Sequence, residues 1–147
     1  MTVVRTGIEI AASPEEVWAV VMDPHRLGDW VTIHRSVDHA PARLRRGSTF
    51  EQVLSLRGAH LHVDWTVVDV DPPRRAVWDG RGPVHSRASI VYELTPSDGG
   101  TRFDYVNEFK TPGGPLGAVA GRVLVGGLSE REAQRSLERL KQLLEAP

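Results

Sequence analysis

The sequence predicts an α+β fold in which a curved antiparallel sheet wraps around a long C-terminal helix. Three observations predict it. A short N-terminal strand runs straight into a capped helix that stops at Asp23-Pro24. A long β-rich stretch punctuated by turn residues follows, and a helical stripe of apolar residues closes the chain. A chain in this order wraps its sheet around its last helix and can leave a cavity between them.

Val3 to Ile10 alternates as a strand and ends at the small residues before Ser13. Ser13 is a good N-cap, Pro14 suits the first helical position, and Glu16 completes a capping box. The predicted helix runs from Pro14 to about Met22, with Val17, Val20 and Val21 as its apolar stripe and Trp18 beside it. Pro24 to Trp30 reads as a second short helix, loosened near its end by Gly28. A weaker strand candidate lies between Thr32 and His39. Stronger ones run from Thr49 to Leu56, His60 to Val70, Arg75 to Gly80, His85 to Thr95 and Thr101 to Phe109. Arg57-Gly58, Asp71-Pro72-Pro73-Arg74 and Pro96-Ser97-Asp98-Gly99-Gly100 supply turns, and Val67-Val68 with Val70 leaves room for a bulge.

Thr111 to Gly117 reads as a Pro/Gly loop. In the final helix Ala133, Leu137, Leu140 and Leu144 recur at spacings of four, three and four. Gly113, Gly114, Gly117, Gly121, Gly126 and Gly127 crowd the stretch before that stripe, and each glycine inside a helix costs about 1 kcal/mol relative to alanine. Ser129 and Glu132 form a second capping box, so a kinked or two-part helix hinged near Gly126-Gly127 is predicted. Those glycines fit close packing against the sheet, the preferred reading, or a gate over a cavity.

A chain of 147 residues is the size of one compact domain, here spanning 1–147. With 40% hydrophobic and 25% charged residues the composition is ordinary for a globular protein. A net charge of −1 provides neither a basic field for nucleic acid nor a polybasic membrane patch. The absence of cysteine excludes disulfides, thiolate catalysis and cysteine-ligated metal sites. No apolar run approaches the ~20 residues of a membrane span, and no signal-peptide core is visible, so the expected location is the cytoplasm.

Ile10, Ser13-Pro14, Val17-Trp18, Asp23-Pro24 and Trp30 together carry a resemblance. So do Asp71-Pro72-Pro73-Arg74-Arg75 with Trp78, Tyr92-Glu93-Leu94, Gly99-Gly100-Thr101-Arg102 and Leu137-Glu138-Arg139-Leu140-Lys141. Over nearly its whole length the chain resembles the SRPBCC (START-like, Bet v 1-like) superfamily, in its polyketide cyclase/dehydrase and lipid-transport branch. The resemblance implies the helix-grip fold. That is a curved antiparallel sheet of about seven strands around a C-terminal helix, closed at one end by two short helices, with an apolar cavity inside. Members of the superfamily bind lipids, sterols, polyketides or plant hormones, and some are enzymes. Fold therefore implies a ligand class, and function has to be argued from the site.

Strand alternation places Ile90, Tyr92 and Leu94 on one side of their strand and Phe103, Tyr105, Asn107 and Phe109 on one side of theirs, and these are the expected inward faces. Leu61, Val63 and Trp65 share a phase, as do Ala76 and Trp78, and Phe50, Gln52, Leu54 and Leu56. The expected ligand-binding set is Trp30, Phe50, Gln52, Trp65, Trp78, Tyr92, Phe103, Tyr105, Asn107 and, on the C-terminal segment, Leu124. For any single aromatic among them, filling a core is the preferred reading over ligand contact, and the expectation of a cavity rests on the fold resemblance.

His60, His62 and Asp64 share one strand face, opposite in phase to the apolar one, so they are expected in solvent and no metal site is predicted. No Ser-His-Asp arrangement, phosphate loop or dinucleotide fingerprint is present, and no cofactor is predicted. His34, His85 and Asp79 could reach the cavity mouth as acid or base groups, with surface placement the preferred reading for each histidine. The family's cyclases are thought to orient a poly-β-keto chain with arginine, tyrosine and serine groups. Tyr105 matches the tyrosine, but Arg57 sits at a turn and Arg87 has the outward phase.

The first reading is a carrier or sensor of a small hydrophobic molecule such as a lipid, isoprenoid, quinone or polyketide. The alternative is a polyketide cyclase/dehydrase-type enzyme using Tyr105, Asn107 and His34 on a bound ketone. A protein-interaction module ranks last, because no exposed apolar patch is evident.

Overall fold

The computed structural model describes residues 2–111 and 130–146. Its strands are β1 (Thr2–Ile10), β2 (His34–Asp38), β3 (Thr49–Leu56), β4 (Ala59–Asp71), β5 (Arg75–Arg81), β6 (Arg87–Ser97) and β7 (Gly100–Lys110). Its helices are α1 (Pro14–Val21), α2 (Leu27–Trp30) and α3 (Glu130–Glu145), with 3₁₀ turns at Pro24–Arg26 and Pro83–His85. The strands form one antiparallel sheet in the order β1-β7-β6-β5-β4-β3-β2, curled around α3. This is the α+β, helix-grip-like architecture expected.

Local chemistry explains the ends of the elements. Ser13 Oγ accepts from Glu16 N–H at 3.2 Å and in turn donates to the Glu16 carboxylate at 3.1 Å. The box therefore closes through the serine hydroxyl rather than the cap's own N–H. Met22 is the C-cap of α1, and Asp23 caps the next turn through His25 N–H. The second short helix is accordingly split into a 3₁₀ turn and α2.

Arg57 and Gly58 both have positive φ, 49° and 82°, as a primed two-residue hairpin turn requires. The bulge falls between Val67 and Asp69. The β6–β7 hairpin is tighter than the sequence suggests. Pro96 pairs with Thr101 and Ser97 with Gly100, which leaves Asp98-Gly99 as the turn. Gly100 lies so close to β1 that a Cβ would stand 2.0 Å from Ile10 O. Strand β6 begins at Arg87 and not at His85, because Val84 and His85 turn into the left-handed region after Pro83.

The core lies between the sheet's inner face, α1, α2 and α3, and Leu137 and Leu140 are fully buried within it. Helix α3 is also held by polar clamps. Ser136 Oγ accepts from Thr32 N–H at 3.1 Å, Thr6 Oγ1 donates to Gln134, and Lys141 Nζ donates to Glu9 O at 2.8 Å. The Pro/Gly loop expected up to Gly117, the hinge expected near Gly126-Gly127, the Ser129 cap and Leu124 fall on residues 112–129, outside the described residues.

Candidate functional site

Inward alternation on five strands converges beneath α3, where the wall is aromatic. Ring centroids step from Trp65 to Trp78 at 5.9 Å, Trp78 to Tyr92 at 5.1 Å and Tyr92 to Tyr105 at 6.0 Å. Trp30 closes the ladder from α2, 6.1 Å from Tyr92. Gly80 makes the ladder possible: a Cβ there would stand 2.7 Å from the Trp65 ring and 2.9 Å from Val63 Cγ1. Tryptophan fits over β5 only because β5 has no side chain at that point.

Between this wall and α3 lies a cavity of about 90 Å³. Trp30, Gln52, Trp65, Trp78, Tyr92, Tyr105 and Asn107 line it, seven of the residues expected. Leu27, Val31, Ile33, Leu54, Leu61, Val63, Ile90 and Leu137 supply apolar surface.

Phe50, Phe103 and His34 are not on that wall among the described residues. Phe50 stands edge-on to Trp78 at 5.4 Å, and Phe103 packs on Tyr92 at 5.4 Å, so both fill the core beside the wall. His34 sits against Gly28 and Gln52. Its pKa is lowered from 6.5 by burial.

Polar groups on the wall are few and specific. Trp65 Nε1 donates to Gln52 Oε1 at 2.8 Å, and Gln52 Nε2 donates to His34 Nδ1 at 2.9 Å. Asn107 Nδ2 donates to the Tyr105 hydroxyl at 2.8 Å. Burial pushes the Tyr105 pKa up to about 12, and burial with the neighbouring Tyr105 pushes Tyr92 well above 10.0. Both phenols stay protonated at neutral pH. Three buried atoms of wall residues, Trp30 Nε1, Trp78 Nε1 and Asn107 Oδ1, have no hydrogen-bond partner among the described residues.

Ser86, Glu132 and Ser136 also line the cavity, a place the sequence did not assign to them, Glu132 figuring there only as part of a capping box. Ser136 was findable, since it lies three residues after Ala133 and four before Leu140 on the helical stripe. Ser86 belongs to an irregular connection and leaves no periodic signal. Other candidates lie outside. His60, His62, Asp64, Asp79 and His85 are exposed. Asp38, His39 and Glu51 do cluster, but all three are exposed.

A family model described as polyketide cyclase/dehydrase and lipid transport matches residues 1–145. Among curated proteins, the uncharacterized protein Rv1546 of Mycobacterium tuberculosis is 26% identical over 97% of this chain and 99% of its own. Toxin Rv0910 of the same organism is 24% identical over 84% of this chain and 88% of its own. Among solved structures, a Chromobacterium violaceum protein superposes with a TM-score of 0.72 at 18% identity, covering 100% of both chains. Protein Ms6760 of Mycobacterium smegmatis also superposes at 0.72, with 22% identity, over 99% of this chain and 91% of its own. No helix among the described residues is long and apolar enough to cross a membrane.

Proposed function

The chain belongs to the polyketide cyclase/dehydrase and lipid-transport family, and on that premise we propose that it binds one compact hydrophobic molecule in the cavity under α3, as a cytoplasmic carrier or sensor. The observation that carries this reading is an apolar cavity with a protonated phenol on its wall. A space of about 90 Å³ is several times what a single water needs, which suits a compact ring or short chain. Tyr105 already accepts from Asn107, so its own O–H remains to donate to a ligand carbonyl, quinone or ether oxygen.

The same groups argue against proton abstraction. A phenol whose pKa is about 12 is a donor and not a base near neutrality. The His34 Nδ1 lone pair is engaged by Gln52, which leaves the proton on Nε2 and no free basic nitrogen. These facts support binding ahead of a cyclase or dehydrase.

Native mass spectrometry of freshly purified protein, followed by organic extraction, tests the proposal. A stoichiometric apolar adduct is expected. It should disappear in Ala88→Leu, which adds volume at the cavity wall, while the thermal transition of that variant stays cooperative. A clean apo mass for the wild type, with no shift in Tm on adding quinone or polyketide-like compounds, would overturn it.

A further inference from the structure

The connection between β5 and β6 forms the rim of the cavity, since Gly82, Pro83, Ser86 and Arg87 all line it. Val84 stands out from this rim at 42% exposure, the one large hydrophobic side chain so exposed among the described residues. Its φ is 57° and that of His85 is 58°, a left-handed conformation that β-branched residues rarely adopt. Hydrogen bonds hold it there. Gly82 N–H donates to Ser86 O at 3.0 Å, while Ser86 N–H and Oγ donate to Pro83 O at 3.1 and 2.7 Å. An apolar tip is thus presented outward on a strained and braced backbone.

Pairing register lines up cations beside the tip. Arg81 lies opposite Arg87, and Arg87 lies opposite Lys110. Opposite residues on neighbouring strands share a face, here the outer one, because Gly80 and Phe109 in the alternate phase are buried. Like charges placed so are unfavourable. Among the described residues none of the three is in an ion pair. Asp64 lies opposite Arg81, and Asp79 and Glu108 lie one outward position further from the loop, none within ion-pair distance of the row.

We propose that this rim docks end-on to an anionic lipid bilayer, with Val84 entering the headgroup boundary and Arg81, Arg87 and Lys110 meeting lipid phosphates. Charge complementarity selects the occupant. A cation row beside an apolar point matches a surface that is anionic outside and apolar beneath. The net charge of −1 belongs to the whole chain, and at the loop end of this face, beside Val84, the outward residues of β5, β6 and β7 are Arg81, Arg87 and Lys110, with Asp79 and Glu108 one outward position further away. The docking stands whether or not the cavity holds a ligand.

Flotation with phosphatidylcholine vesicles, with and without phosphatidylglycerol, tests it on the full chain. Binding is expected only to the anionic vesicles, weakening with salt. The triple variant Arg81→Ser, Arg87→Ser, Lys110→Ser should bind about a hundredfold less, from ~1 kcal/mol per cation. Removing the same charge at Arg43, Arg45 and Arg46, exposed in the β2–β3 connection, should leave binding unchanged. No binding by the wild type, or equal loss in the two triple variants, overturns the proposal. A second measurement does not depend on the triple variant folding. The chain has no cysteine, so Val84→Cys carries a single polarity-sensitive dye. A blue shift with anionic vesicles is expected, and an unshifted spectrum refutes insertion.

Discussion

Trp65 Nε1 donates to Gln52 Oε1 at 2.8 Å, and that bond sets the position of a proton on a histidine two strands away. An indole N–H can only donate, so the Gln52 oxygen must face it and the Gln52 nitrogen must face His34 Nδ1. Nδ1 therefore accepts, and the imidazole is neutral with its proton on Nε2. Protonating Nδ1 would set two donors against each other.

His34 is accordingly expected to titrate below 6.5, with burial as the cause. In the unfolded chain it takes its proton first, so stability falls as the pH drops from 6.5 towards the folded value. Imidazole nitrogen shifts should report the Nε2–H tautomer. Gln52→Glu should move the midpoint upward, because a carboxylate can accept from both the indole and a protonated imidazole. An upward shift absent from that variant would break the proposed link.

Tyr105 and Tyr92 are the chain's two tyrosines, and both resist ionisation. The folded protein should show no phenolate absorbance at pH 10.0, the ordinary tyrosine value. The unfolded state ionises first, so stability should decline as pH rises from 10.0 towards about 12. Tyr105→Phe strips the buried Asn107 amide of its acceptor and should cost about 1–3 kcal/mol in denaturant unfolding.

Gly80→Ala places a methyl 2.7 Å from the Trp65 ring. Because Val63 lies close on another side, the ring must move into the cavity or the strands must part. Overpacking of this kind costs about 1–3 kcal/mol. A lowered Tm and a shifted tryptophan emission are expected, and an unchanged spectrum would show that the ring does not depend on Gly80.

Glu145 fastens the end of α3 to the β1–α1 junction. Its carboxylate accepts from Ala11 N–H at 2.8 Å and from Lys141 Nζ at 2.6 Å, and the two bonds hold its pKa below 4.5. The stabilisation is present above 4.5 and is lost as the pH falls through the depressed folded value. Glu145→Gln should lower Tm at neutral pH, and the gap from wild type should close in acid. A gap that persisted in acid would exclude the carboxylate as its source.

The order of elements was legible because each rests on neighbours in sequence. Ser13 and Glu16 are three residues apart, and Arg57-Gly58 makes its turn alone. The inward faces of Gln52, Tyr92 and Asn107 followed from a side-chain period of two. Alternation assigns a face and is silent on depth. That is why Phe50 and Phe103, correctly turned inward, sit in packed core beside the cavity and do not line it.

The sequence by itself determined the fold class, the strand faces and the aromatic character of the interior, since these follow from local pattern and burial. Tertiary structure alone decided which inward residues meet open space, which nitrogen of His34 holds the proton, and that Arg81, Arg87 and Lys110 stand in one row. Each of those depends on strand register and on the curl of the sheet, which bring together residues far apart in the chain, and no local pattern encodes such distances.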